Sequence, residues 1–227
     1  MTDMTNLSTV NVAISNYIAV VTMNNPPVNA QNRQFHDDLT LVFDVLSDRN
    51  DVRSIVLTGA GKCFSAGADI KGRASQESDL GDHWVHSRRV RECFYSIMEC
   101  RKPVIAAING AALGAGLAVA ASADILIASE SASVGLPEIN VGLLGGGRHA
   151  MRLFGHSKTR RLMLTGQRLS GAELYRLGIV EECVPDDDLM RAALEIAEEL
   201  ASKSPVAMSL AKETLNAIEE MALRDGY

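Results

Sequence analysis

The sequence predicts an α/β fold built from βα units, with helices packed around sheet and a helical region at the end. Three observations carry this. Short strand-like runs alternate with amphipathic stretches through the first two thirds of the chain. Some of those runs, such as Ser54 to Leu57 and Val104 to Ile108, are apolar without a polar face, as buried strands are. The last third carries apolar residues at helical spacing.

Val10 to Ile14 and Ile18 to Met23 read as paired strands joined by Ser15-Asn16-Tyr17. A Pro-Pro link leads to a helix over Asn32 to Asp48, with Phe35, Leu39, Val42, Phe43 and Leu46 on one face. The polar stretch Ala74 to Trp84 reads as loop, and Val85 to Cys100 as helix. Leu117 to Ala121 reads as a buried helix, while Asp124 to Ala128 and Ser133 to Gly135 return to extended chain. Helices are expected over Lys158 to Leu164, Gly171 to Leu177, Asp187 to Ser202 and Pro205 to Leu223. The acidic run Asp186-Asp187-Asp188 suits a helix start, where negative charge is favourable.

At 227 residues the chain can bury a substantial core, and 47% hydrophobic with 22% charged residues is an ordinary globular composition. A formal net charge of −6 argues against a nucleic-acid partner, which asks for basic patches. The four cysteines, Cys63, Cys93, Cys100 and Cys183, lack metal-ligand spacing, which favours reduced thiols in a cytoplasmic setting and gives no reason for a metal. The start shows no basic-then-apolar leader pattern. The longest apolar run, Ala111 to Ala128, is broken by Gly114, Gly116, Ser122 and Asp124, so it reads as core and not as a membrane span.

Two segments carry the chemistry. Leu113-Gly114-Ala115-Gly116-Leu117 and Ala66-Gly67-Ala68-Asp69 are small-residue turns that let backbone approach a ligand, and each can offer one N–H to a shared site. Two converging amides make an oxyanion hole. A lone acid, Glu138, follows in the apolar Gly135-Leu136-Pro137-Glu138, where it is a candidate proton carrier.

FSAGADIK, then KPVIAAINGAALGAG, then ADILIASESASVGLPEINVGL resembles the crotonase (enoyl-CoA hydratase/isomerase) superfamily, and the likeness runs nearly the whole chain. The resemblance implies a repeated ββα spiral over residues 1–165 with the binding and catalytic site, and a C-terminal helical trimerisation region over 166–227. It implies a homotrimer or dimer of trimers, an acyl-CoA substrate with coenzyme A as its only cofactor-like part, and in most members further helices beyond Tyr227. It places the thioester oxygen on the backbone N–H groups of Ala68 and Ala115. Ala66, Asp69, Ile70, Lys71, Gly114 and Gly146 become substrate-binding positions, and Glu138 the catalytic acid/base.

Two departures from the family pattern matter. Hydratases carry a second glutamate where this chain has Ala118, so the resemblance implies one-base double-bond isomerisation ahead of hydration. Alternatives are a weakly catalytic acyl-CoA-binding protein, or another enolate reaction such as decarboxylation or C–C bond hydrolysis. Arg148 and His149 replace two small residues after Gly145-Gly146-Gly147. His149 reads as an auxiliary acid or base, or more simply as a surface histidine. Arg148 is placed for an ion pair with Glu138, which would depress that acid's pKa. His83, Trp84 and His86 fall in the segment that shapes the acyl pocket in relatives. Asp124 reads as a backbone anchor.

Overall fold

The computed structural model describes residues 4, 6–70 and 80–226. Strands β1 (Val10–Ser15) and β2 (Ile18–Met23) form an antiparallel hairpin. Asn16 and Tyr17 at its tip both take positive φ, 51° and 64°, which matches the twist of the flanking strands. A two-residue strand β3 (Ala30–Gln31) then precedes helix α1 (Arg33–Asp48). Asn32 caps that helix by accepting from the Phe35 amide at 2.9 Å. Its face of Phe35, Leu39, Val42, Phe43 and Leu46 is fully buried, as its spacing requires.

From here the chain winds three times through the same step. Strand β4 (Ser54–Gly59) joins a six-stranded sheet, and β5 (Cys63–Ser65) joins a separate four-stranded sheet. After the two-residue strand β6 (Gly67–Ala68) comes helix α2 (Leu80–Met98). The step repeats with β7 (Val104–Ile108), β8 (Ala111–Leu113) and helix α3 (Ala115–Ala121). It repeats again with β9 (Ile125–Ser129), β10 (Ser133–Gly135) and a 3-10 turn over Pro137–Val141. Strands β4, β7 and β9 lie parallel and adjacent in the large sheet, and β5, β8 and β10 in the small one.

The central strands β4, β7 and β9 of the large sheet are buried on both faces, which explains their unbroken apolar runs. Ile55, Leu57, Val104, Ala106 and Ile108 enter the main core with α1 and α2. The intervening Val56, Ile105, Ala107 and Ile127 pack on the other face against α7 (Leu189–Ala201). Between these come α4 (Gly147–Leu153), α5 (His156–Thr165), β11 (Arg168–Ser170), α6 (Gly171–Arg176) and β12 (Cys183–Val184). A 3-10 turn over Asp186–Asp188 leads into α7, as the acidic run predicts.

Helices α8 (Pro205–Ile218) and α9 (Leu223–Gly226) close the described chain. The nearly buried Lys212 pins α8: its Nζ lies 2.8 Å from Asp124 Oδ2 and donates to the carbonyls of Ile97 and Lys102, each at 3.1 Å. Asp124 also accepts from the Val104 amide at 2.7 Å, so it is the backbone anchor expected of it.

Several expectations need correction. Helix α2 begins at Leu80, five residues before the expected Val85, and the rest of the expected loop, residues 74–79, lies outside the described residues. The last third is not purely helical, since β11 pairs with β10 and β12 with β9. The expected helix Pro205 to Leu223 is interrupted between Ile218 and Leu223.

Candidate active site

Three parallel strands deliver three bends to one end of the small sheet. Ser65 pairs with Ala112 across β5 and β8, and Gly135 with Leu113 across β10 and β8. The chain leaving each strand at its carboxyl end is therefore Ala66 to Ala68, Gly114-Ala115, and Leu136 to Glu138. Crevices outside the carboxyl ends of parallel strands are the common place for ligands in α/β sheets.

The first two bends touch backbone to backbone. Gly67 has φ +89°, and a methyl group on it would stand 2.5 Å from the Leu113 carbonyl oxygen and 3.2 Å from the Ala115 nitrogen. No side chain fits there. Across β6, the Asp69 amide donates to the Gln31 carbonyl at 3.1 Å. Successive amides of an extended strand point to opposite sides, so the Ala68 N–H points away from β3. Ala115 is the first residue of α3, where an amide has no intrahelical carbonyl to meet.

A residue that sequence reasoning passed over holds the first bend. The Ser65 hydroxyl, fully buried, donates to the Asn29 carbonyl at 2.8 Å and accepts from Gln31 Nε2 at 3.2 Å and the Gly67 amide at 3.3 Å. Asn29, itself at φ 52°, donates its side-chain amide to the Cys63 carbonyl at 2.7 Å. The Asn-Pro-Pro-Val-Asn-Ala run is thus a polar scaffold for the turn, and its polar residues are the signal that was there to read.

Glu138 meets the second bend. A methyl group on Gly114 (φ +56°, ψ −117°) would overlap Glu138 Oε1 and sit 2.8 Å from its Cδ. The carboxyl group therefore lies against the backbone immediately before the Ala115 amide. Gly114 N donates to the Gly135 carbonyl at 2.9 Å, which locks this bend to the strand that precedes Glu138. The 3-10 turn that carries the acid ends on Gly142 at φ 73°, and the Leu143 amide donates to the Glu138 carbonyl at 3.0 Å.

Glu138 is half-buried, and its Oε2 is enclosed without a hydrogen-bond partner. Burial pushes its pKa above the usual carboxylate value, against a smaller lowering from its own backbone amide. The expected ion pair with Arg148 is absent: Arg148 pairs instead with Glu220, and Arg152 holds Glu219 at 2.8 Å. Among the described residues no cation pairs with Glu138. Ala118, one helical turn beyond Gly114, is fully buried in the apolar core.

Gly146 takes φ +67° at the start of α4, where a methyl group would lie 3.4 Å from the Gly114 carbonyl oxygen, so it joins the site. Ala66, Asp69 and Ile70 lie on the first bend, with Ile70 exposed. Lys71 lies outside the described residues. His149 is half-buried, with its ring edge-on to Phe94 at 4.8 Å between centroids. Trp84 is exposed, and His86 lies edge-on to the buried His36 at 6.0 Å.

The chain matches the family model for enoyl-CoA hydratase/isomerase over residues 13–226. It is 36% identical over 213 residues to a probable mitochondrial enoyl-CoA hydratase of Dictyostelium discoideum, covering 92% of this chain and 76% of that one. It is also 36% identical over 211 residues to the (7aS)-7a-methyl-1,5-dioxo-2,3,5,6,7,7a-hexahydro-1H-indene-carboxyl-CoA hydrolase of Mycobacterium tuberculosis, covering 92% and 85%. The solved enoyl-CoA hydratase from Bacillus anthracis superposes with a TM-score of 0.90 at 33% identity, covering 96% of this chain and 86% of that one. With its three-step ββα winding and these matches along almost its whole length, the chain belongs to the enoyl-CoA hydratase/isomerase family of the crotonase superfamily.

Proposed function

We propose that the protein acts on acyl-CoA thioesters by stabilising a thioester enolate, and that its reaction is one-base double-bond isomerisation. The Ala68 and Ala115 amides hold the thioester oxygen. Glu138, as carboxylate, takes a proton from the α-carbon of a 3-enoyl thioester, and negative charge collects on the held oxygen as the dienolate forms. The protonated Glu138 then delivers that proton to the γ-carbon, leaving the 2-enoyl thioester and a carboxylate ready for the next cycle. A donor aimed at the oxyanion is worth about 3 kcal/mol of barrier, so two of them outweigh any single polar contact elsewhere in the site.

The observation that carries this reading is the isolation of Glu138. Its carboxyl group lies against Gly114, its Oε2 has no partner, and the position where a hydratase carries its second acid is the buried, apolar Ala118. Hydration needs water oriented by two acids, whereas transfer between α- and γ-carbons needs one group that both accepts and donates. A carboxyl group with a pKa raised by burial is suited to both halves. The relatives' names include hydratases and a ring-substrate hydrolase at the same identity, so it is the site, and not the match, that distinguishes between these reactions.

Initial rates with crotonyl-CoA plus water and with a 3-enoyl-CoA test the reading. Isomerisation is expected to exceed hydration by at least about tenfold, and Glu138→Gln to remove about 10³-fold or more of it. Faster hydration, or isomerisation that survives Glu138→Gln, contradicts it.

A further inference from the structure

Beside the proposed catalytic residues lies a cleft of about 360 Å³, lined by Val90 and Phe94 together with His86, Tyr95, Gly146 and His149. His86, Val90 and Phe94 fall at i, i+4 and i+8 on α2, so they form one stripe along the helix. Over eight residues that stripe is about 12 Å long. Gly146 connects the cleft to the acid: a methyl group on its neighbour Gly145 would stand 3.6 Å from Glu138 Oε1. The cleft thus opens next to the acid, within reach of an acyl group whose α-carbon lies at Glu138.

Val90 and Phe94 give the cleft an apolar floor, Ser87 and Arg91 line it as well, and the wall beside Gly146 is an imidazole. His149 is half-buried against the edge of Phe94, and no described residue takes a hydrogen bond from it. Burial, and then Arg152 and Arg148, hold its pKa below the ordinary histidine value, so it is neutral and offers one donor and one acceptor. The cations around it are already engaged: Arg148 with Glu220, Arg152 with Glu219 at 2.8 Å, and Arg91 of the cleft with Glu92 at 2.9 Å. A carboxylate on the acyl group would find no unpaired cation among these three. A plain alkyl chain would strip water from the imidazole without replacing its hydrogen bonds.

We propose that this cleft takes acyl groups bearing a neutral oxygen, a ketone or a hydroxyl, and that His149 donates a hydrogen bond to that oxygen. The inference rests on the acyl-CoA reading above and deepens it by naming the substrate class. A site that hydrogen-bonds a substrate oxygen discriminates against the analogue without it more strongly than an apolar pocket rejects an extra group.

Binding of hexanoyl-CoA and 5-oxohexanoyl-CoA to the full chain, by calorimetry, tests it. Wild type is expected to bind the keto ester about tenfold more tightly. His149→Phe keeps a ring against Phe94 and is expected to erase that preference, weakening the keto ester and strengthening the alkyl one. His149→Gln, which retains a donor, is expected to keep part of it. Equal binding of the two esters by wild type, or a preference unchanged in His149→Phe, overturns the inference while leaving the acyl-CoA reading intact. If neither ester binds, the acyl-CoA reading falls and this one with it. Should His149→Phe fail to fold, the wild-type ratio and His149→Gln decide the matter.

Discussion

Gly114→Ala separates stability from chemistry at this site. The residue sits at φ +56° and ψ −117°, a region that side-chain-bearing residues avoid, and forcing alanine there costs about 2 kcal/mol. For a chain of this size that is a fall in Tm of about 4–8 °C. The new methyl group also overlaps Glu138 Oε1, but that atom ends a flexible side chain and swings away at little cost to folding. The cost appears in turnover, because a reacting group misplaced by about 1 Å loses about 10²-fold in rate. Thermal melting together with steady-state isomerisation of a 3-enoyl-CoA reads both effects. A variant that melts within about 1 °C of wild type and turns over normally refutes the placement of Glu138 against Gly114. Gly67→Ala is the control: its methyl group meets the Leu113 carbonyl, which is backbone and cannot swing, so strain and overpacking together cost about 3–5 kcal/mol of stability.

Ser65→Ala leaves Gln31 Nε2 and the Gly67 amide without their buried acceptor, and is expected to cost about 2–4 kcal/mol in denaturant melts and to lower kcat/KM as the Ala68 turn loosens. Glu138 has a folded pKa raised by burial, so the folded state binds its proton more tightly than the unfolded chain. Stability from this group is present at low pH and is lost as pH rises from the ordinary carboxylate value through the raised one. Glu138→Gln should remove that slope from a series of melts across pH. His36, nearly fully buried with both ring nitrogens unpartnered, has its pKa lowered from 6.5 to about 4, chiefly by burial and then by His86. Its unfolded state takes the proton first, so stability falls as pH drops from 6.5 to about 4. That loss amounts to about 3 kcal/mol, and His36→Leu should flatten this part of the acid limb.

The large sheet was legible because burial on two faces leaves an unambiguous mark, as in Ser54 to Leu57 and Val104 to Ile108. The short strands were not. Ala30–Gln31, Gly67–Ala68 and Cys183–Val184 have two residues each, too few to show a period, and Ala111–Leu113 opens a long apolar run with no β-branched or aromatic residue to mark a strand. The start of α2 was missed because residues 81–85 are all exposed, so no apolar spacing marks that first turn. At the site, Glu138 stood out as a lone acid in an apolar run. The partner of Arg148 could not be read, since Glu220 is distant in sequence and the nearer Glu138 faces elsewhere. Ser65 looked like an ordinary turn residue, and only the fold reveals that its hydroxyl ties its own turn to the run Asn29 to Gln31.

Crystallography of the protein with a non-reactive acyl-CoA bound goes straight to the mechanism. The expected density puts the thioester oxygen about 2.7–3.1 Å from both the Ala68 and Ala115 nitrogens, with the Glu138 carboxyl group beside the α-carbon. A thioester bound elsewhere, or one gripped by a single amide with Glu138 turned from the α-carbon, would contradict it.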